Sequence, residues 1–317
     1  MYGTNYRWCT AVGMESFWNG YPEYGLAIPQ VYGEIACDNL TVKAGRFLSC
    51  VGYYAVGTNN NFFPFLPYTF QYAEPFTHTG MLFTYKFSDK FTWANGFVRG
   101  WDNFNPNNVP DGMPHGNPHL SWLSNATLTR ENGDTLAWVG LLGQDFSLSP
   151  TSDGWTTRYF QTLVYQKKFS DDVLGVLQSD FGTQENATPT GETALWYGVN
   201  SYLYWNQTCR LQWGTNFEWF RDNNGFRVRP AVPSSASPNA RGWTNGGTYL
   251  PGFAGNFWSF AIGPKYFFTP NIYGRAAYRF DWYNGEKPTG TAGPLSPYND
   301  GTKDSQHLGV FDLVVTF

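Results

Sequence analysis

Four histidines, His78, His115, His119 and His307, are the side chains of this sequence best suited to metal ligation or proton transfer. His115 and His119 stand four apart, but Gly116, Asn117 and Pro118 between them prevent a helix from aligning the two rings. Both are expected on a loop. His307 falls on the apolar side of the last extended segment, and Ser305, two residues before it on the same side, is a poor partner for a nucleophile and base pair. Asp102, Asn103 and Asn105 could offer oxygens to a calcium ion, yet the same residue types build Asx-turns. Cys9, Cys37, Cys50 and Cys209 form no CxxC, and Cys37 and Cys50 lie at opposite ends of one hairpin, beyond disulfide reach. HExxH, GxSxG, Walker, GxGxxG and EF-hand spacings are all absent. Neither catalysis nor a metal or cofactor is expected.

The elements that carry these residues are extended. Segments of about ten residues, many with one apolar and one polar side, are separated by turn residues, and none makes an amphipathic helix. From Cys209 to Phe220, Leu211, Trp213, Phe217 and Trp219 share one side, and Arg210, Gln212, Asn216 and Glu218 the other. Between Ile272 and Trp282, Ile272, Ala276, Tyr278, Phe280 and Trp282 oppose Arg275, Arg279 and Asp281. Phe91–Trp101 and Arg158–Phe169 are mixed on both sides, for which a bulge is one explanation. Tight turns are expected at Asp38-Asn39, Ser88-Asp89-Lys90, Asn132-Gly133, Ser170-Asp171-Asp172, Asn206-Gln207 and Thr269-Pro270-Asn271. They alternate with long connections near 15–28, 51–68, 102–118, 147–156, 184–191, 222–254 and 284–304. Short turns on one side, long loops on the other and an even strand number, about 14, form the layout of a transmembrane antiparallel up-and-down β-barrel, here one domain over 1–317.

Composition separates this from a soluble sandwich. Phe, Tyr and Trp number 27, 21 and 14, and only 14% of residues are charged, against roughly 25% in soluble domains. Aromatics gather near strand ends, at Tyr204 and Trp205, Trp219 and Phe220, Trp282 and Tyr283, where bilayer interfaces would hold them. Mean hydropathy is −0.40, which excludes a polytopic helical protein. A net charge of −4 without any basic run excludes nucleic acid as a partner.

A barrel in lipid turns its polar face inward, so alternation assigns the lumen. Lys43, Lys86, Arg210, Arg275 and Arg279 line it against Glu34, Glu218, Asp281 and Asp312, a mixture without net selectivity. About 14 strands leave space for an aqueous channel. Phe62 and Phe63 of the 51–68 loop, with Glu74 and His78 beyond it, are candidates for an inward-folded constriction; the same aromatics would equally suit a cap on the rim.

The first hundred residues carry a more specific pattern. Tyr2-Gly3-Thr4-Asn5-Tyr6-Arg7, Pro29-Gln30-Val31-Tyr32, Gly45-Arg46-Phe47, Asn61-Phe62-Phe63, Tyr72-Ala73-Glu74-Pro75-Phe76-Thr77-His78-Thr79-Gly80 and Gly100-Trp101-Asp102-Asn103 occur in an order that resembles the β-barrel porin-2 (OmpL-like) family of outer-membrane proteins. Tyr54 stands where the family leads one to expect an acidic residue, and Pro64-Phe65-Leu66-Pro67 where it leads one to expect a Ser-rich stretch; both departures fall in the long loop. The resemblance implies a signal peptide and one or two strands ahead of the Tyr-Gly segment, hence an N-terminally truncated chain and up to 16 strands in the intact barrel. Phe317, with Val315, Leu313 and Phe311 at alternate positions before it, resembles the C-terminal signature read by the barrel-assembly machinery.

The expected function is a porin-like channel of the bacterial outer membrane for passive diffusion of small hydrophilic solutes or ions, in contact with outer-membrane lipid and compatible with a homo-oligomer. Two alternatives stand beside it. One is a structural or surface-binding barrel with a plugged lumen and partners at loops 222–254 and 284–304; the other is a secreted sugar-binding β-protein.

Overall fold

The computed structural model describes residues 2–3, 25–26, 29–102, 119–147, 149–228, 252–286, 296–299 and 301–316. Thirteen strands form one sheet in which each pairs only with its neighbours in sequence, all antiparallel. They are β1 (Val31–Cys37), β2 (Leu40–Leu48), β3 (Thr77–Lys86), β4 (Phe91–Val98), β5 (Ser121–Thr129), β6 (Thr135–Phe146) and β7 (Trp155–Lys168). The order continues through β8 (Val173–Gln184), β9 (Ala194–Asn206), β10 (Leu211–Asp222), β11 (Gly255–Thr269), β12 (Ile272–Gly285) and β13 (Ser305–Val315). Tyr2–Gly3 pairs separately with Gly25–Leu26. The rest of the first expected strand lies outside the described residues, as do Cys9, His115, Asn103, Asn105, Phe317 and most of the 222–254 loop. Among the described residues, β1 and β13 have no ladder partner on their outer edges.

Alternation decides the two faces. On β10, Trp213 and Phe217 are exposed while Asn216, Glu218, Phe220 and Asp222 are buried, the inverse of a soluble protein and the arrangement of a sheet wrapped in hydrocarbon. Ile35, Phe97 and Phe311 on other strands are exposed at 75%, 58% and 75%, an apolar surface far larger than a water-soluble monomer carries. Trp219, Trp258 and Trp282 stand in register on β10, β11 and β12, with successive ring centroids 5.8 Å apart. Such a row matches an interfacial girdle. Only one member of each expected aromatic pair faces out: Trp205, at the short-turn end opposite Trp213, and Trp219 and Trp282 of this row do so, whereas Tyr204, Phe220 and Tyr283 share the opposite, inner parity.

Three expectations need correction. The ladders of β4 and β7 run without a register shift, and the one irregularity lies between Phe267 and Thr269. The mixed faces have other causes. On β4 the inward Ala94 and Val98 are buried, and between them a Cβ on Gly96 would clash with the backbone of Met81 and Leu82. On β7 the outward Gln161 accepts hydrogen bonds from Trp138 and Tyr159. The turn expected at Asn206-Gln207 extends through Arg210, where Thr208 Oγ1 accepts from the backbone of Arg210 and Leu211. Arg210 is therefore an exposed turn residue, and strand parity does not reach it. Cys37, Cys50 and Cys209 carry free thiols.

Candidate lumen and its inward segment

Between β2 and β3 the chain leaves the wall at Ser49 and returns at Phe76, and in between it folds inside the sheet. A single 3-10 turn (Thr58–Asn60) and a π-helical turn (Thr69–Ala73) are its regular elements. Tyr54, Phe63, Tyr68, Phe70 and Ala73 are buried at 5% exposure or less. Its aromatic rings stack on one another, Phe63 on Phe65 at 5.0 Å and Phe70 on Phe76 at 4.5 Å. Phe62 reaches the wall at Gly214, where a Cβ would lie 2.4 Å from its ring. Of the two fates open to this loop, inward folding is the one observed.

The wall holds the segment by its backbone. An irregular segment inside a barrel has few hydrogen bonds of its own, so side chains must satisfy its N–H and C=O groups. Glu218 accepts from the N–H of Tyr68 at 2.7 Å and of Thr69 at 2.6 Å, and also from the Thr69 hydroxyl. Arg275 Nη1 donates to the carbonyls of Thr58 and Asn61 at 2.7 and 2.8 Å, and Arg279 Nη1 to that of Leu66 at 2.7 Å. Gln178 accepts from Tyr53 N–H, Tyr273 donates to Asn59, Trp196 to Ala73 and Arg227 to Tyr72. Each arginine keeps a carboxylate partner: Arg275 pairs with Asp312, and Arg279 with Asp281 at 2.6 Å. Pairing makes such buried charge tolerable.

Two of the sequence runs that resemble the family, those around Glu74–His78 and Gly100–Asp102, meet where the segment rejoins the wall. Asp102, at φ 58°, accepts from the N–H groups of Phe76 and Thr77 at 2.7 and 2.9 Å. His78 lies between Ser49 Oγ at 2.9 Å and the Gly100 carbonyl at 3.2 Å. Asp102 and His78 thereby serve as clamps at this junction. Burial pushes the Asp102 carboxyl up to about 6, although the Thr77 and Phe76 amides pull it down.

The residues expected in the lumen separate into groups. Glu218, Arg275, Arg279 and Asp281 are buried against the segment, with Phe63, Glu74 and His78. Phe62 is half-buried, and Asp312 is held by Arg275. Glu34 and Lys43 face inward from β1 and β2, 3.3 Å apart, while Lys86 pairs with Asp89 at the turn. Arg210 is not among them. Sequence reading missed Gln178, Asp180, Trp196, Asn200 and Tyr273; the even positions of β8, Gln178, Asp180 and Gln184, already formed a legible polar row. Arg158, on the mixed β7, bonds Asp145 at 2.8 Å and Gln184, and its guanidinium lies 4.9 Å from the Trp101 ring. His307 faces outward against Tyr278, whose hydroxyl is 2.6 Å from Nδ1. Among the described residues no metal-holding group of His, Cys, Asp and Glu occurs.

Comparison with known proteins agrees with this geometry. The family described as "Putative beta-barrel porin-2, OmpL-like" matches residues 1–317. No curated protein matches. Among solved structures, OmpT of Vibrio cholerae aligns with TM-score 0.54 at 10% identity, covering 87% of this chain and 76% of that one; a trimer form of OmpT is also similar. The outer membrane channel DcaP of Acinetobacter baumannii gives 0.54 at 9% identity, over 87% and 71%. OprB of Pseudomonas putida gives 0.52 at 12%, over 94% and 73%. These likenesses establish the fold, and the family match establishes kinship: the chain belongs to the β-barrel porin-2 (OmpL-like) family, a porin-like outer-membrane channel by fold and family.

Proposed function

We propose that residues 1–317 form one barrel domain that passes small hydrophilic solutes or ions by diffusion, through a lumen narrowed by residues 49–76. The observation that carries this reading is the inward segment itself, fixed by Glu218, Arg275 and Arg279 through its backbone. The passage runs between the segment and the inner face of β1–β6, where Thr41, Lys43, Thr92, Asn125 and Thr127 are only half-buried. Lumen-facing polar groups keep their hydration there, which suits hydrophilic cargo. Outer-membrane lipid covers the apolar face, Phe317 presents the chain to the barrel-assembly machinery, and a homo-oligomer is the working assembly.

A plugged lumen is the second reading. It is favoured by the completeness of packing higher in the barrel, where Leu123, Phe160 and Trp196 are at 0% exposure. Planar-bilayer recording of the purified protein separates the two: discrete conductance steps support the channel, and silence of a correctly folded, heat-modifiable barrel supports the plug.

A further inference from the structure

Glu74 is the one carboxylate of the segment's return limb that faces the wall without a basic partner. Gln178 Nε2 donates both to Glu74 Oε1 and, at 2.9 Å, to Asp180 Oδ2, so two carboxylates converge on one amide nitrogen. Both residues are 2% exposed. Glu74 Oε2 is buried without a donor, and the hydroxyl of Thr162, fully buried and directly opposite Asp180 on β7, faces the Asp180 carboxylate. The groups facing the pair are Gln178 and Thr162, with Glu218 and Tyr202 beyond them on β10 and β9. No lysine or arginine among the described residues forms an ion pair with either carboxylate.

Two unbalanced negative charges in contact within a sealed interior are not sustainable. Some positive charge must sit between them. A hydrated metal ion has no space, because the Glu74 carboxylate is pressed onto Gly52, where a Cβ would lie 2.3 Å from Oε2; Gly52 adopts φ +76°. A proton needs no space. We propose that Glu74 and Asp180 together bind one proton, Glu74 donating it to Asp180, and that this shared proton latches the return limb of the inward segment to β8. Loss of the proton to lumen water leaves two carboxylates that repel, and the limb from Gly52 to Phe76 loosens.

The sign follows from the buried acid. Burial, and next the neighbouring Asp180, push the Glu74 carboxyl well above the usual carboxylate range. The latch is therefore fully present below the ordinary carboxylate pKa and is lost as pH rises through the value in the folded protein. For one proton the opening equilibrium grows about tenfold per pH unit between the ordinary carboxylate value and the folded one, and levels off above the latter.

Hydrogen–deuterium exchange of residues 50–77 in the intact, lipid-reconstituted barrel reads this opening whether or not the lumen conducts. Over a series from about pH 5 to about pH 9, with the intrinsic exchange rate divided out, protection should fall with that slope. Glu74→Gln, which keeps shape and removes the proton donor, should hold protection level over the same range, and Asp180→Asn, which leaves Glu74 buried without its carboxylate neighbour, should move the fall to lower pH. Asp102 still titrates in both variants and adds a residual change of its own. A fall in protection that persists unchanged in either variant overturns the latch. Infrared spectroscopy of the unaltered protein gives a second reading independent of the variants' folding: a protonated carboxyl band should disappear along the exchange curve, and its absence at the acid end overturns the proposal. The conductance consequence, a rise along the same curve, rests on the channel reading; its failure with exchange intact counts against the channel alone.

Discussion

The two halves of the wall treat the inward segment differently. On β8–β12 the inner face is built of Gln178, Glu218, Arg275 and Arg279, each bonded to the segment's backbone or side chains, and Ser259 on the same face is at 0% exposure. On β1–β6, toward the short turns, the inner face is Thr41, Lys43, Thr92, Asn125 and Thr127, half-buried, with Thr127 donating to Asn125 within the wall. Long branched polar side chains in one half hold a strand-free loop, and short hydroxyls in the other leave room beside it. In the proposed channel the lumen is thereby narrowed asymmetrically, one half serving as scaffold and the other as passage.

Removing the loop tests this most forcefully. Deletion of 55–66 takes away Thr58, Asn61 and Leu66, the acceptors of Arg275 and Arg279, and should raise single-channel conductance several-fold. Unchanged conductance would mean that the segment does not limit the pore. Arg279→Ala should be the next largest effect. It strands Asp281, 1% exposed on its side chain, and breaking such a buried pair costs about 3–5 kcal/mol. Denaturant titration of the heat-modifiable band measures it, and a loss below about 1 kcal/mol would place Arg279 in water. Lys43→Ala is expected to be mild for stability, since Lys43 and Glu34 are both partly exposed and such pairs contribute about 0–1 kcal/mol. Its signature is selectivity: a reversal potential in a salt gradient should shift toward cations, and no shift would move the passage away from β2.

Much of this was legible beforehand. The row Leu211, Trp213, Phe217, Trp219 and its polar counterpart were assigned to opposite faces correctly, because one-residue register errors would reverse a whole strand and the pattern forbids that. Turns at Asp38, Gly133 and Pro270 fell where their residues allow left-handed or fixed backbone. Arg210 was misplaced because alternation does not announce where a strand stops. The inward path of the 51–68 loop was left open for a deeper reason. Its aromatics suit a rim as well as an interior, and what decides is a set of partners, Glu218, Arg275 and Arg279, about 150 to 217 residues away. Each of those reads locally as an ordinary lumen charge; only the fold brings them to the same backbone.

The central claim is that solutes pass beside the segment, along β1–β6, while β8–β12 is sealed under it. Thr127→Cys and Ser259→Cys, each in a background with the native cysteines replaced, place one thiol on either side. Conductance during addition of a charged methanethiosulfonate reagent is the measurement. Rapid partial block through Thr127→Cys with none through Ser259→Cys is the predicted result; block at Ser259→Cys with an inert Thr127→Cys would contradict it.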